Sequence, residues 1–195
     1  INEYSVHGIY LSTDAKRYYP YSDLAPHVIG FVGTDYTGLY GIEAEYETRL
    51  QGESGLVVTA KDAADNDMLY EYSQYFAAEN GENLELTLDA TVQYYLQKGI
   101  EEMCDAFSPA NGAAGVVLNV NSGAILGMAS YPNYDLNDFS VITDQTLLEQ
   151  IEREEITESQ AQLTQWRNKC LNDTYEPGST FKTITLASAL EEDLV

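Results

Sequence analysis

Apolar residues along this chain follow two periods, and the change between them marks out elements. Val92, Leu96, Ile100, Met103 and Phe107 recur every three or four residues, the spacing of one helix face, and Asp89 stands where an N-cap is needed. Gly115–Val120 and Ala124–Ala129 are apolar runs about the turn tripeptide Asn121-Ser122-Gly123, which predicts a hairpin. Both runs are nearly continuous in apolar residues, so both sheet faces are expected to be covered by helices. Leu84-Glu85-Leu86-Thr87-Leu88 alternates and predicts a strand. Residues 133–142 read as a loop. Residues 143–171 predict one or two helices whose charged positions, Glu149, Glu152, Arg153, Glu154 and Glu155, form a solvated face.

The first 83 residues are patterned differently. Ile9-Tyr10-Leu11 predicts a strand, and Leu24–Val32 a short helix leading into a strand over 27–32. A helical stretch begins at Gly38–Glu43 and ends near Gly52. The Gly38-x-x-Gly41 spacing lacks the Lys and Ser/Thr of a phosphate loop, so these glycines are assigned to turns and a close backbone contact. Strands are expected at Leu56–Ala60 and Met68–Tyr75, about the acidic turn Asp62–Asp67. That turn lacks the ligand spacing, the Gly and the closing Glu of an EF-hand, so a hairpin turn is expected there and no metal. The polar break Ala78–Asn83 places a domain boundary between residues 1–83 and 84–195.

Near the C-terminal end, Pro177-Gly178 breaks the chain ahead of Ser179. Phe181, Ile184, Leu186, Ala187, Ala189 and Leu190 then predict a helix apolar on several sides, as in a core. Ser179 and Lys182 are three residues apart and share a helix face, near the positive end of the helix dipole. A hydroxyl and an amine so placed are a candidate nucleophile and base. An ordinary lysine amine is protonated at neutral pH and serves as a base only where burial and neighbouring groups destabilise the ammonium.

Composition narrows the chemistry. With 44% hydrophobic residues and 16 Tyr among 195 residues, the chain can build a packed core. Its formal charge of −23 excludes nucleic acid as a partner, since that binding needs Lys and Arg to displace counterions. The acidity is assigned to solubility. Cys104 and Cys170 show no metal-ligand spacing; one disulfide and two reduced thiols both fit. No apolar run approaches the ~20 residues of a membrane span, and no signal peptide is visible. Both ends, Ile1 and Val195, read as cut. His7 and His27 are assigned to surface or capping positions. With Thr180 and Phe181 after Ser179, there is no Gly-x-Ser-x-Gly elbow, and a Ser-His-Asp hydrolase is rejected.

Glu176-Pro177-Gly178-Ser179-Thr180-Phe181-Lys182 resembles the active-site motif of penicillin-binding proteins, the transpeptidases that cross-link peptidoglycan. Arg17-Tyr18-Tyr19-Pro20, Gly38-x-x-Gly41-Ile42-Glu43 and Leu50-Gln51-Gly52-x-x-Gly55 resemble, in that order, the N-terminal pedestal of the class B members. Leu86–Asp89 and Gly115–Leu118 through Met128–Pro132 resemble the opening of the transpeptidase domain, and Asn168 stands on the approach to the active-site turn. The resemblance covers nearly the whole chain. It implies an α+β architecture: a β-rich, dimerisation-type pedestal followed by the N-terminal part of a transpeptidase domain with antiparallel sheet and helices.

By the same resemblance Ser179 is the nucleophile and Lys182 the general base. The implied ligands are stem peptides ending in D-Ala-D-Ala and β-lactam antibiotics, with no cofactor and no metal. A membrane glycan polymerase and other cell-wall synthesis proteins are the implied partners. The implied location is the outer face of the cytoplasmic membrane, held by an N-terminal span that this chain lacks. The family's Ser-x-Asn and Lys-Thr-Gly motifs do not occur here. The piece is therefore expected to be inactive alone and to expose apolar surface about Phe181 and Leu190. Two alternatives stand beside this reading: a β-lactamase or β-lactam sensor, against which residues 1–83 argue, and a non-catalytic scaffold module.

Overall fold

The computed structural model describes residues 16–58 and 74–193. The strand expected at Ile9–Leu11, the acidic turn Asp62–Asp67 and most of the two strands flanking that turn lie outside these residues. In chain order the elements are α1 (Pro26–Ile29), α2 (Gly41–Glu45), α3 (Glu47–Leu50), β1 (Leu56–Val58), β2 (Gln74–Phe76), α4 (Ala90–Phe107), β3 (Ala113–Leu118), β4 (Ile125–Tyr131), α5 (Gln145–Glu152), α6 (Glu158–Trp166), α7 (Lys169–Asn172) and α8 (Lys182–Glu191). The architecture is α+β, as expected. β1 and β2 form one antiparallel ribbon, with Val57 opposite Tyr75, and β3 and β4 form the other, with Gly115 opposite Ala129.

Asp89 caps α4, accepting from the Thr91 and Val92 backbone N–H groups. Val92, Leu96 and Ile100 of α4 turn toward the sheet. A Cβ added at Gly115 would lie 3.0 Å from Leu96 and Ile100, and one at Gly127 3.2 Å from Leu96. The two glycines seat the helix on the strands. Further along, Met103 and Phe107 are exposed. The opposite face of the sheet is covered only in part: α1 packs on β4 and α7 on both β3 and β4, but Val116 and Leu118 on β3 are exposed. This corrects the expectation of two covered faces.

Two expected strands are absent. The apolar run at 27–32 begins as a helical turn because Pro26 occupies its first position, where a missing N–H is harmless. Within 27–32 a single residue, Val32, enters a β-bridge, to Gly38. The alternating segment 84–88 forms no ladder. It is tied to β4 at single points, where the Thr87 hydroxyl donates to the Ile125 carbonyl at 2.7 Å and the Asp89 N–H donates to the Leu126 carbonyl at 2.9 Å. Residues 143–171 resolve into three helices rather than one or two, with the Thr157/Gln160 capping box starting α6.

The buried centre lies where the two halves meet. Tyr19 and Phe31 from the first half pack with Tyr134 and Leu136 from the second, and Tyr40, Phe139 and Trp166 close around them. Phe31 stacks on Phe139 at 3.9 Å between ring centres and on Tyr40 at 5.3 Å, and meets Trp166 edge-on. Polar contacts knit the same seam. The Tyr19 N–H donates to Asn137 Oδ1 at 3.0 Å, and Asn137 Nδ2 donates back to the Tyr19 carbonyl at 2.9 Å. Arg17 Nε donates to the buried Glu43 carboxylate at 2.7 Å. Backbones approach closely here: a Cβ at Gly41, whose φ is +58°, would lie 2.4 Å from the Val28 carbonyl oxygen.

A pair of glutamines extends this seam to the sheet. Buried Gln93 faces the Met128 backbone with its amide: Nε2 donates to the carbonyl at 2.9 Å, and Oε1 accepts from the N–H at 2.8 Å. Gln93 also donates to Gln97 Oε1, which accepts from the Ala25 N–H, while Gln97 Nε2 donates to the Asp23 carbonyl.

Candidate active site

The segment leading to Ser179 is anchored before it turns. Asn168 is buried and caps α7, its Oδ1 accepting from the Cys170 N–H at 3.0 Å. Its Nδ2 donates to the His27 carbonyl at 3.2 Å and meets the Met128 sulfur at 3.4 Å, so one amide joins α1, β4 and α7. Next to it, the Lys169 N–H donates to Ser130 Oγ at 3.1 Å and Lys169 Nζ to the Asn111 carbonyl at 2.6 Å. Arg167 then clips the exit of α7, bonding the Asn172 carbonyl and the Asp173 carboxylate, each at 2.6 Å.

From there the chain reaches Pro177 and Gly178, whose φ of +54° suits glycine. A 3-10 turn over Gly178–Phe181 runs straight into α8. Ser179 is the second residue of that turn and Lys182 the first of α8, and the Lys182 N–H donates to the Ser179 carbonyl. Residues three apart in a 3-10 turn eclipse one another, so the structure brings the two candidates onto one side of one turn. The Ser179 N–H lies among the N-terminal amides of the helix, which carry partial positive charge.

Both residues are exposed, and so is the apolar helix behind them: Phe181, Ile184, Leu186 and Leu190 are all more than half exposed. The helix predicted to be buried is not buried by the described residues. The exposed surface about Phe181 and Leu190 is the one anticipated from the missing motifs.

His27 corrects another expectation. It is buried, not superficial, its Nε2–H donating to the Gln165 carbonyl at 3.0 Å and its ring edge-on to Tyr134 at 5.0 Å. Burial pulls its pKa down to about 4, against the hydrogen bond to Gln165, and nearby Lys169 lowers it further. Cys104 and Cys170 are both free thiols, each pushed up by burial. Among the described residues no group of three His, Cys, Asp or Glu is placed to hold a metal. No described helix is long and apolar enough to cross a membrane.

Gln93, Gln97, Lys169 and Arg167 organise the approach, yet none stands out in the sequence, because each finds its partners through the fold.

Comparison with known proteins places the chain. Residues 1–86 match the family model of the penicillin-binding protein dimerisation domain, and residues 113–195 that of the penicillin binding protein transpeptidase domain. Stage V sporulation protein D of Bacillus subtilis is 36% identical over 188 residues, 96% of this chain and 26% of that protein. The peptidoglycan D,D-transpeptidase FtsI of Escherichia coli is 27% identical over the whole chain, which spans 29% of it. Among solved structures, a peptidoglycan synthetase from Bifidobacterium adolescentis superposes with a TM-score of 0.67 at 24% identity, over 92% of this chain and 29% of that one. Penicillin-binding protein 2 of Helicobacter pylori, in complex with MreC, gives 0.59 at 26% identity, over 89% of this chain and 32% of that one. The chain belongs to the class B penicillin-binding proteins. It spans less than a third of the length of each of these relatives.

Proposed function

We propose that this chain is the pedestal and the leading part of the transpeptidase domain of a peptidoglycan D,D-transpeptidase, with the boundary between residues 83 and 84. The observation that carries the reading is the Ser179–Lys182 turn at the head of α8, in a chain matching both domains of the family. Ser179 Oγ attacks the carbonyl of a stem-peptide D-Ala-D-Ala bond, and Lys182 takes the hydroxyl proton. The bond to the terminal D-Ala breaks, the proton passes to that leaving amine, and an acyl-serine remains. An amine of a neighbouring stem displaces Ser179 and closes the cross-link. The Ser179 N–H supplies one oxyanion donor. A β-lactam acylates the same hydroxyl.

A lysine works as a base in a dry, walled site, and here Lys182 is exposed. The walls belong to the remainder of the domain, so this chain alone acylates slowly or not at all. The enzyme works at the outer face of the cytoplasmic membrane, anchored by an N-terminal span, beside a membrane glycan polymerase. The Helicobacter pylori complex with MreC supports a protein-docking role for proteins of this kind.

Intact mass after incubation with a labelled penicillin tests the reading. An adduct on Ser179 is expected in a chain extended past Val195, and little in the 195-residue chain. A folded longer chain that forms no adduct would leave the scaffold role as the function.

A further inference from the structure

A cleft of about 510 Å³ opens where the loop before α1, one side of α4 and the end of β4 meet. Its size lies within the ~300–1,000 Å³ of small-molecule sites. Tyr21, Tyr94 and Tyr131 line it together with Asp23, Lys98 and Glu101. Tyr21 is 71% and Tyr94 54% exposed; the Tyr94 ring meets Tyr95 edge-to-face at 5.4 Å and leaves the rest of its surface open. Among the described residues no protein group bonds the three phenol hydroxyls. Burial, and then the carboxylates of Asp105 and Glu101 among its neighbours, push the Tyr131 hydroxyl up and keep it a proton donor.

These groups select by chemistry. A phosphate or other anion meets two carboxylates for one ammonium, in a chain of net charge −23. A lipid chain finds apolar Leu24, Ile100 and Ala129, but interrupted by Asp23, Lys98, Glu101 and the phenol hydroxyls. An extended peptide entering beside Ala129–Tyr131 cannot continue along β4, because the backbone at Met128 and Leu126 just before the cleft is already bonded to Gln93 and Asp89. What fits is a neutral ligand with hydroxyls that both donate and accept and with flat C–H faces. Phenol rings supply apolar faces with polar tips, carboxylates accept from paired hydroxyls, and Lys98, 3.8 Å from Glu102, keeps ammonium donors for an acyl oxygen.

We propose that this cleft binds a neutral saccharide, an N-acetylhexosamine segment of a glycan strand, at a place separate from Ser179. The choice of an N-acetylated sugar rests on the peptidoglycan reading above; the saccharide class rests on the cleft. In a complete enzyme such a site holds the glycan while its stem peptides reach the serine, raising their local concentration.

Isothermal titration of the chain with chitotetraose, a soluble N-acetylglucosamine tetramer, tests it, with thermal melts of each variant as a control. Binding is expected, weakened about tenfold by Tyr94→Ala, which removes one exposed stacking face, and several-fold by Glu101→Gln. Cellotetraose, which lacks the acetamido groups, is expected to bind more weakly. No heat with chitotetraose at millimolar concentration overturns the proposal. So does binding that both variants leave unchanged, or binding of a stem pentapeptide in place of the sugar. Penicillin acylation of Ser179 in the longer chain is read separately, so loss of the cleft and loss of the transpeptidase reading are distinguishable.

Discussion

Phe31 and Phe181 sit in equally apolar segments, and one is fully buried while the other is 53% exposed. The difference is whether another element returns across them. Around Phe31 the first half meets residues more than a hundred positions away, through ring contacts and the Tyr19–Asn137 exchange of hydrogen bonds. Among the described residues nothing comparable covers α8. Burial in this molecule follows long-range contact and not local hydrophobicity, and the folded centre is the seam between the halves.

Substitutions sharpen that contrast, beginning with the seam. Phe31→Ala is expected to lose about 3–5 kcal/mol, the range for emptying a buried aromatic site, and chemical denaturation of the chain checks it. An equal loss from Phe181→Ala would break the comparison.

His27 gives the next effect, through pH. Its folded pKa is about 4, against about 6.5 for an ordinary imidazole. Between these values the unfolded chain takes up a proton that the folded chain refuses, so stability is full above pH 6.5 and is lost as pH falls toward 4. The whole loss is about 3 kcal/mol. In His27→Gln the slope between pH 6.5 and 5 is expected to flatten.

Arg17→Ala leaves Glu43 buried without its cation. Because Arg17 is half exposed, the expected destabilisation is smaller, about 1–2 kcal/mol, and Arg17→Ala with Glu43→Gln is expected to recover part of it. Smallest is Ile184→Ala on α8, within about 0.5 kcal/mol. A large loss there would show α8 packed in solution.

Local signals were legible in the sequence. The Asp89 cap, the period of α4 and the turn between β3 and β4 lie within a few residues of one another, and all appear where the pattern put them. The Ser179–Lys182 spacing is equally local. Tyr134, Leu136 and Phe139 are another matter: their irregular spacing in an apparent loop gives no period, and their burial is decided by Tyr19 and Phe31. His27 looked superficial because nothing adjacent says that Gln165 will meet it. Gln93 gave no signal at all, since its partner at Met128 is 35 residues away. The strand expected at 84–88 failed because alternation describes a suitable strand without supplying a neighbour to pair with.

Gln93 also bears on the order in which a larger sheet is assembled. By occupying both backbone groups of Met128, while Asp89 takes the Leu126 carbonyl, α4 and its cap close the outer border of β4 as soon as the hairpin and helix come together. A bare strand border is a template for the next strand to arrive, and this leaves β3 as the side on which the sheet grows. A further strand added to this sheet would therefore join along β3, beside exposed Val116 and Leu118. The unit from 89 to 131 serves as a seed with one growing end.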